Sequence, residues 1–503
     1  MPDPGASGPA RERATVAVVG GGIAGLAAAW ELTGGAHGPG PGSPGVVVLE
    51  SARRLGGKLR TEELWGQPVD VGPDGFLARR PEATELCREL GLAEELEPIG
   101  ASGAAVWARG RPRMLPEGLA LGVPTRYWPV ARSGILGWTS SLRLLLDVVA
   151  PRPDVRRPLG DRAIGPLVAR KLGPGVVGTL VDPLVGGIHA GSVADMSAAA
   201  VYPLLLAVAQ RRGSFMRALR RASAAQEPAP AAQRAEPAFW ALRGGMGSLV
   251  ARLAQRLGDR GVSVRVAAHV EKLSQVGGRA WVLHTSTGEL AADAIVLAVP
   301  ATSAASLLEP HEPEAAMLLR GVEHSSVAVV TMAYTARSLP ATLRGTGLLV
   351  PAGTPAPEEV APDGRFLVTA CTYLSAKWPH LAAPDRVLVR ASVGRHGDDR
   401  PSLLDDEALS ARTARELRLL LGATGDPTDW HVTRWPDAFP QYRVHHLLRV
   451  AGIDAAVRRL PPLAVAGATY RGVGIPACVA GGRSAARQVL DALVRPGEVE
   501  RSG

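Results

Sequence analysis

The 503-residue chain carries 56 Lys plus Arg against 47 Asp plus Glu, a formal net charge of +9, with 46% hydrophobic and 20% charged residues. That balance excludes a wholly disordered or fibrous protein and, at about 100 to 200 residues per domain, predicts two or three domains. Cys87, Cys371 and Cys478 lie far apart with no CxxC pair, which excludes a disulfide framework and thiolate metal sites and fits a reducing cytosol.

Residues 1–13 are rich in Pro, Gly and Arg and lack an apolar core, so they read as a disordered N-terminus without a secretory signal. Thr15–Val19 then reads as a buried β-branched strand, and Ile23–Leu32 has helical apolar spacing. Between them Gly20, Gly22 and Gly25 stand in GxGxxG spacing. The first glycine makes a tight turn, the second lets backbone touch a pyrophosphate, and the third lets helix and strand pack closely. Ile23 and Ala24 open the helix, whose N-terminus offers N–H groups to phosphate. The run Ala14–Trp30 is charge-free but shorter than the ~20 residues of a membrane span. A second strand, Val46–Leu49, ends in Glu50, followed by Ser51, where a carboxylate accepts the ribose hydroxyls of FAD or NAD rather than NADP. The Gly34–Gly45 loop lengthens the usual spacing of about 20 residues at small cost.

Arg54, Gly56, Gly57 and Lys58 follow as an RxGGK element. It resembles the second pyrophosphate loop of the large flavin oxidase family that contains the amine oxidases; its glycines let backbone reach a diphosphate while Arg54 offsets charge. Basic residues thicken around Arg111, Arg113, Arg126 and Arg132, yet no nucleic-acid reading module is present. Residues 270–299 read as a short antiparallel meander returning to a parallel strand at Ala294–Val299, and further strands are expected at Val327–Tyr334, Phe366–Tyr373 and Val387–Val393. Near the C-terminus a strand, a Gly-rich turn and a helix starting near Pro476 place Gly467, Gly472, Val473, Gly474 and Ile475 where a helix N-terminus can face a flavin.

The stretches RLGGKLRT, GPDGFLARRPEA, GVPTRYWPVARSGIL, VDPLVGGIHAG, ALRGGMGSL, CTYLSAKWPH, FPQYRVHH and GATYRGVGIPACVAGG together resemble the bacterial oxygen-dependent porphyrinogen oxidases. The likeness is closer to the Gram-positive type than to the mitochondrial one. It implies an α/β (α+β mixed) fold with a Rossmann-like FAD-binding domain, a β-rich substrate domain and a helical insertion. The expected boundaries are 14–75, 240–300 and 445–495 for the FAD domain, 76–112 and 301–444 for the substrate domain, and 113–205 for the insertion. A connector over 206–239 would hold a disordered loop at Gln226–Pro237. Apolar stretches at Ile135–Val149 and Ala198–Ala209 leave two readings open, a buried lid core and a peripheral membrane contact.

The resemblance further implies an FAD cofactor and oxidation of coproporphyrinogen III to coproporphyrin III in haem synthesis. Six electrons would leave as successive hydrides to flavin N5, with dioxygen reoxidising the flavin to give hydrogen peroxide. Protoporphyrinogen IX is the alternative substrate. A flavin amine oxidase or carotenoid desaturase, and a tetrapyrrole carrier serving a ferrochelatase, are the other readings. In the resembling family a valine at the position of Val270 meets the adenine through its backbone, and Gly72, Pro73 and Asp74 are assigned to the flavin site. Four propionates demand cations. Arg79 and Arg80 are the leading candidates, with Lys377, Arg113 and Arg395 behind them. Tyr373, Trp378 and Tyr442 read either as macrocycle contacts or as core aromatics. His189, His445 and His446 lack metal-ligand spacing, so no metal is expected, and no general base is assigned. This chain reads QYRVHH where the family has QYxVGH.

Overall fold

Parallel strands are covered on both faces, so their side chains are apolar at every position rather than at alternate ones. Thr15–Val19 (β1) and Gly45–Leu49 (β2) meet that requirement, and they pair in parallel from Thr15 opposite Gly45 to Val19 opposite Leu49. Successive side chains point to opposite faces. Accordingly Val16 and Val18 enter one apolar core while Ala17 and Val19 enter another on the far side. Ser263–Arg265 (β3) flanks β2, Ala294–Leu297 (β4) flanks β1, and Leu463–Val465 (β5) closes the order β3-β2-β1-β4-β5, all parallel. The chain therefore leaves this sheet after β2, after β3 and after β4, and returns to it three times. The computed structural model describes residues 13–40, 42–149, 160–211, 213–225, 237–340 and 343–494.

Ile23–Leu32 (α1) is buried on nearly every side because β1 and β4 lie beneath it, and Gly247–Asp259 (α2) and Ile475–Val494 (α3) pack against it. The α1–α3 crossing is close enough that a Cβ on Gly482 would lie 2.1 Å from the Ala24 carbonyl oxygen. The opposite face of the sheet is covered by the antiparallel meander Val270–Val276, Ala280–Thr285 and Gly288–Ala292, with Trp281 fully buried at its centre.

A second sheet of seven strands runs in the order Asp429–Pro440, His324–Thr335, Arg386–Val393, Val368–Tyr373, Gly347–Leu349, Ala105–Ala108 and Arg111–Met114. It is antiparallel except where Gly347–Leu349 runs parallel to Ala105–Ala108.

The described residues between 127 and 224 are mostly helical, around a core that includes Leu144, Ile164, Val168, Leu180, Leu205, Phe215 and Leu219. The Ile135–Val149 expectation resolves as a helix at Trp138–Val149. The Ala198–Ala209 stretch is two helices broken at Tyr202, because Pro203 cannot donate a backbone N–H to a continuous helix. Within the expected connector, the Phe215–Ala224 helix shares this core, and buried Asp147 caps it by accepting the N–H groups of Phe215 (2.9 Å) and Met216 (3.0 Å). The expected disordered segments 1–13 and Gln226–Pro237 lie outside the described residues except for Arg13 and Pro237.

No described residue covers one face of the Trp138–Val149 helix. Trp138 (78%), Leu142 (54%), Leu146 (43%) and Val149 (66%) are exposed, as is Trp128 (63%) on the preceding helix. No helix among the described residues is long and apolar enough to cross a membrane.

Candidate functional site

The first loop of the site follows directly from β1. The Gly20 N–H donates to the Leu49 carbonyl at 2.8 Å, and Gly20 has φ +109, a conformation that L side chains rarely adopt. Cβ atoms on Gly20 and Gly25 would lie 2.4 Å from the Ala298 oxygen and 1.9 Å from the Gly20 oxygen, so protein packing alone dictates glycine there. Gly22 differs: its φ is −72 and a Cβ on it would meet no protein atom within 4 Å. The clearance over Gly22 stands at the N-terminus of α1, which has no side-chain cap. That combination is what a diphosphate needs from a helix N-terminus.

The RxGGK loop lies alongside. Gly56 N–H donates to the Gly21 carbonyl at 2.8 Å, Gly22 and Gly56 form a parallel bridge, and Gly57 (φ +58) faces the Cα of Gly22. Arg54 straps this loop from within, donating to the carbonyls of Gly57 (2.7 Å) and Leu55 (3.2 Å). Glu50 accepts the N–H groups of Gly21 (2.7 Å) and Ala52 (2.8 Å), which leaves it further lone-pair sites for ribose hydroxyls. Ser51 is exposed beside it, and Ala268 donates to the Glu50 carbonyl at 2.9 Å, which brings Val270 to the same rim. Lys58 is half-buried; burial lowers its pKa, and the side chains of Cys478 and Asp437 are near enough to oppose that shift.

The third loop, between β5 and α3, brings Gly467, Gly472, Val473, Gly474 and Ile475 to the same end of the sheet, because α3 crosses α1 at Gly482. Like Gly22, Gly467 would place a Cβ within 4 Å of no protein atom. Clearance for a ligand at Gly22 and Gly467, the RxGGK loop packed alongside Gly22, two helix N-termini and one carboxylate fit the diphosphate and ribose of FAD.

Gly72, Pro73 and Asp74 form an adjoining wall with a buried charge cluster. Asp74 accepts from Lys377 Nζ (3.1 and 2.9 Å) and Trp378 Nε1 (2.9 Å), and pairs with Arg390 at 3.2 Å. Burial alone would raise the Asp74 pKa, but Arg390 and Lys377 beside it hold the carboxyl well below the usual range. Arg390 also donates to the carbonyls of Asp70 (3.1 Å) and Gly72 (2.9 Å). Sequence reasoning did not single out Arg390. Its only signal is a cation on a strand that is otherwise mostly apolar.

The expected substrate cations fare differently from one another. Lys377 is committed to Asp74, Arg395 pairs with Asp182 at 3.3 Å, and Arg113 donates to the Ala108 carbonyl at 3.2 Å. Arg80 donates twice to Glu82 (3.2 and 2.8 Å). Arg79 is exposed, has no hydrogen bond or ion pair among the described residues, and its charge reaches the Tyr202 phenol of the helical region. Tyr373 and Trp378 are core residues, and Tyr442 is buried behind the third loop. The VDPLVGGIHAG segment folds as a π-helical stretch, Val177–Gly186, continued by a short turn to His189. Pro183 inside an apolar run was the sequence sign of that irregularity.

The profile of the flavin containing amine oxidoreductase family matches residues 23–490. The coproporphyrinogen III oxidase of Propionibacterium freudenreichii is 35% identical over 532 aligned residues, covering 97% of this chain and 93% of that one. The protoporphyrinogen oxidase of Bos taurus is 30% identical, covering 95% and 98%. A crystal structure of a candidate protoporphyrinogen oxidase from Exiguobacterium sp. 255-15 superimposes with a TM-score of 0.82 at 30% identity, covering 97% of this chain and 100% of that one.

Proposed function

Since the chain belongs to the flavin containing amine oxidoreductase family, we propose that it is the FAD-dependent oxidase that converts coproporphyrinogen III to coproporphyrin III, with dioxygen as final electron acceptor. The observation that carries the choice of substrate is the likeness, over nearly the whole chain, to bacterial relatives named for coproporphyrinogen III, at 35% identity in Propionibacterium freudenreichii. When bound, FAD supplies the two-electron acceptor for the saturated meso carbons and its own reoxidation by dioxygen. The chain supplies position and charge. Gly22, Gly56 and Gly57 would seat the diphosphate, Glu50 the ribose and Val270 the adenine rim, while the first turn of α3 would set its positive end beside the ring system.

Asp74 is held ionised by two cations, so its part is to fix Lys377 and Arg390 rather than to move protons. Arg79 is the cation left for a propionate. In the division of labour that fits these contacts, residues 14–75, 240–300 and 445–495 bind FAD, 76–112 and 301–444 receive substrate, and 113–205 cover it. The reduced cysteines suit the cytosol, and the exposed Trp128–Trp138 face suits a peripheral contact with a membrane surface. The acidic porphyrin product would pass to a ferrochelatase.

The test is aerobic kcat/KM on coproporphyrinogen III and protoporphyrinogen IX, read by porphyrin fluorescence against an autoxidation control. A clear preference for the first is expected. Preference for the second would move the enzyme to the reaction named for the bovine relative, and turnover of neither by a yellow protein would favour a carrier. Arg79→Ala should raise KM for coproporphyrinogen III about tenfold with kcat little changed, the size of one charge-assisted contact. Unaltered kinetics would remove Arg79 from the site.

A further inference from the structure

The loop between β5 and α3 supplies one wall of the flavin cradle, yet its middle is held largely by two side chains from another part of the chain. The Tyr442 phenol donates to the Ala468 carbonyl and accepts the Gly472 N–H at 2.8 Å. His446 Nε2–H donates to the Tyr470 carbonyl at 2.9 Å. The two rings stack with centroids 4.0 Å apart and planes inclined by 14°. Both side chains are buried, so the bonds are made away from competing water, and the Tyr442 hydroxyl spends both donor and acceptor capacity on this one loop.

The backbone of the same segment is tied to the helical region. Ser197 N–H donates to the Tyr442 carbonyl at 2.7 Å, and Val444 N–H to the Asp195 carbonyl at 3.1 Å. Asp161 accepts the His445 N–H (2.7 Å), the Ser197 hydroxyl (2.7 Å) and the Ala199 N–H (3.0 Å). Residues 441–446 are therefore bonded to the helical region on one side and clamp the cradle loop on the other.

We infer that Tyr442, supported by His446, is a positioning residue that sets the flavin-facing loop Gly467–Gly474 and ties it to the helical region. This rests on the assignment of FAD to the cradle. A phenylalanine at 442 keeps the ring and the stack but strips the Ala468 carbonyl and the Gly472 N–H of their partner.

FAD dissociation constants, visible flavin spectra and midpoint potentials are measured on the full chain for wild type, Tyr442→Phe, Asp161→Asn and, as a control, Tyr334→Phe, a buried phenol whose contact is Met332 Sδ at 3.7 Å. Tyr442→Phe is expected to weaken FAD about tenfold, the size of two neutral hydrogen bonds, and to shift the visible band. Its potential should move by about 30 mV for each tenfold difference in effect between the two flavin oxidation states. Asp161→Asn should move the same readouts in the same direction by less, and Tyr334→Phe should match wild type. Tyr442→Phe with wild-type affinity, spectrum and potential overturns the inference. If that variant fails to fold, His446→Ala must weaken FAD and His446→Gln, which restores an N–H donor, must recover it; absence of that pattern also overturns it. A wild-type chain that bound no FAD would overturn the flavin assignment, and the clamp with it.

Discussion

Gly22 and Gly25 are glycine for opposite reasons. A methyl group at Gly25 would collide with the Gly20 carbonyl, whereas one at Gly22 would enter space bounded by no protein atom, on a backbone that alanine adopts without strain. Gly25→Ala should therefore lower thermal stability whether or not cofactor is present. Gly22→Ala should leave the apoprotein's urea midpoint near wild type and weaken FAD at least tenfold, because only the ligand is crowded. Equal loss of stability in both apoproteins would refute the distinction. His445 offers the converse case. It stands at φ +71, where a β-carbon is unfavourable, and the resembling family carries glycine there. His445→Gly should raise stability by about 0.5–1 kcal/mol, the relief of a left-handed residue less the entropy glycine adds to the unfolded chain. A lowered urea midpoint would show that the imidazole makes a compensating contact. These positions were legible because each rule is local: a turn, a helix start and the residues on either side.

Elements whose termini are satisfied from afar were not legible. The α2 N-terminus is capped by Asp70, 176 residues away in sequence, whose oxygens accept the Met246 N–H at 2.9 and 3.1 Å. Thr61 completes the cap by accepting the Gly247 N–H at 2.8 Å and donating to Asp70. The Asp74 cluster likewise joins residues more than 300 apart. The expected strands and α1 lie where apolar periodicity put them, with ends off by up to three residues, as at His324–Thr335 against the expected Val327–Tyr334, because periodicity reports burial; no periodicity reports which carboxylate meets which helix. The Asp70 cap has a consequence for pH. Burial pushes its carboxyl from 3.8 up to about 7, against the pull of Thr61 and Met246. Between those values the folded chain binds a proton that the unfolded chain has lost, so stability falls as pH rises from about 4 to about 7, by at most ~4 kcal/mol, and is level above. Asp74 has the opposite sign: its contribution is present above about pH 4 and is lost as pH falls toward its depressed folded value. Burial lowers the pKa of His189, His324 and His446, whose contributions rise with pH, so the test is a difference: relative to Asp70→Asn, the wild-type urea midpoint should decline from pH 5 to about 7 and hold level to pH 8. A constant difference between wild type and Asp70→Asn across that range would mean that Asp70 stays ionised in the fold.

At the scale of the molecule, the expected FAD fold stands in the five-stranded sheet and its three loops, while the exposed face of the helical region was only half legible. Apolar spacing over Ile135–Val149 is the same for a buried lid and for a surface stripe, so the sequence left both open; the packing decides that Leu144 and Asp147 point inward and Trp138, Leu142, Leu146 and Val149 outward. Four apolar side chains on one helix face, with Trp128 nearby, form a patch that a monomer in water has no reason to keep. Its rim is cationic. Arg132 lies 5.5 Å from the Trp128 ring centroid, and Arg126, the extended residue just before that helix, is exposed. The helix is too short to span a bilayer, but tryptophan and leucine beside arginine suit the headgroup boundary of an anionic membrane. The chain should therefore float with phosphatidylglycerol-containing vesicles, bind pure phosphatidylcholine less, and release as salt is raised. Changing Trp128 and Trp138 together to Ser should reduce binding at least tenfold while leaving kcat/KM on free substrate near wild type, since neither ring is buried in the core. Failure of wild type to float at low salt would instead assign the face to a protein surface, and an unchanged double variant would place any vesicle contact elsewhere on the molecule.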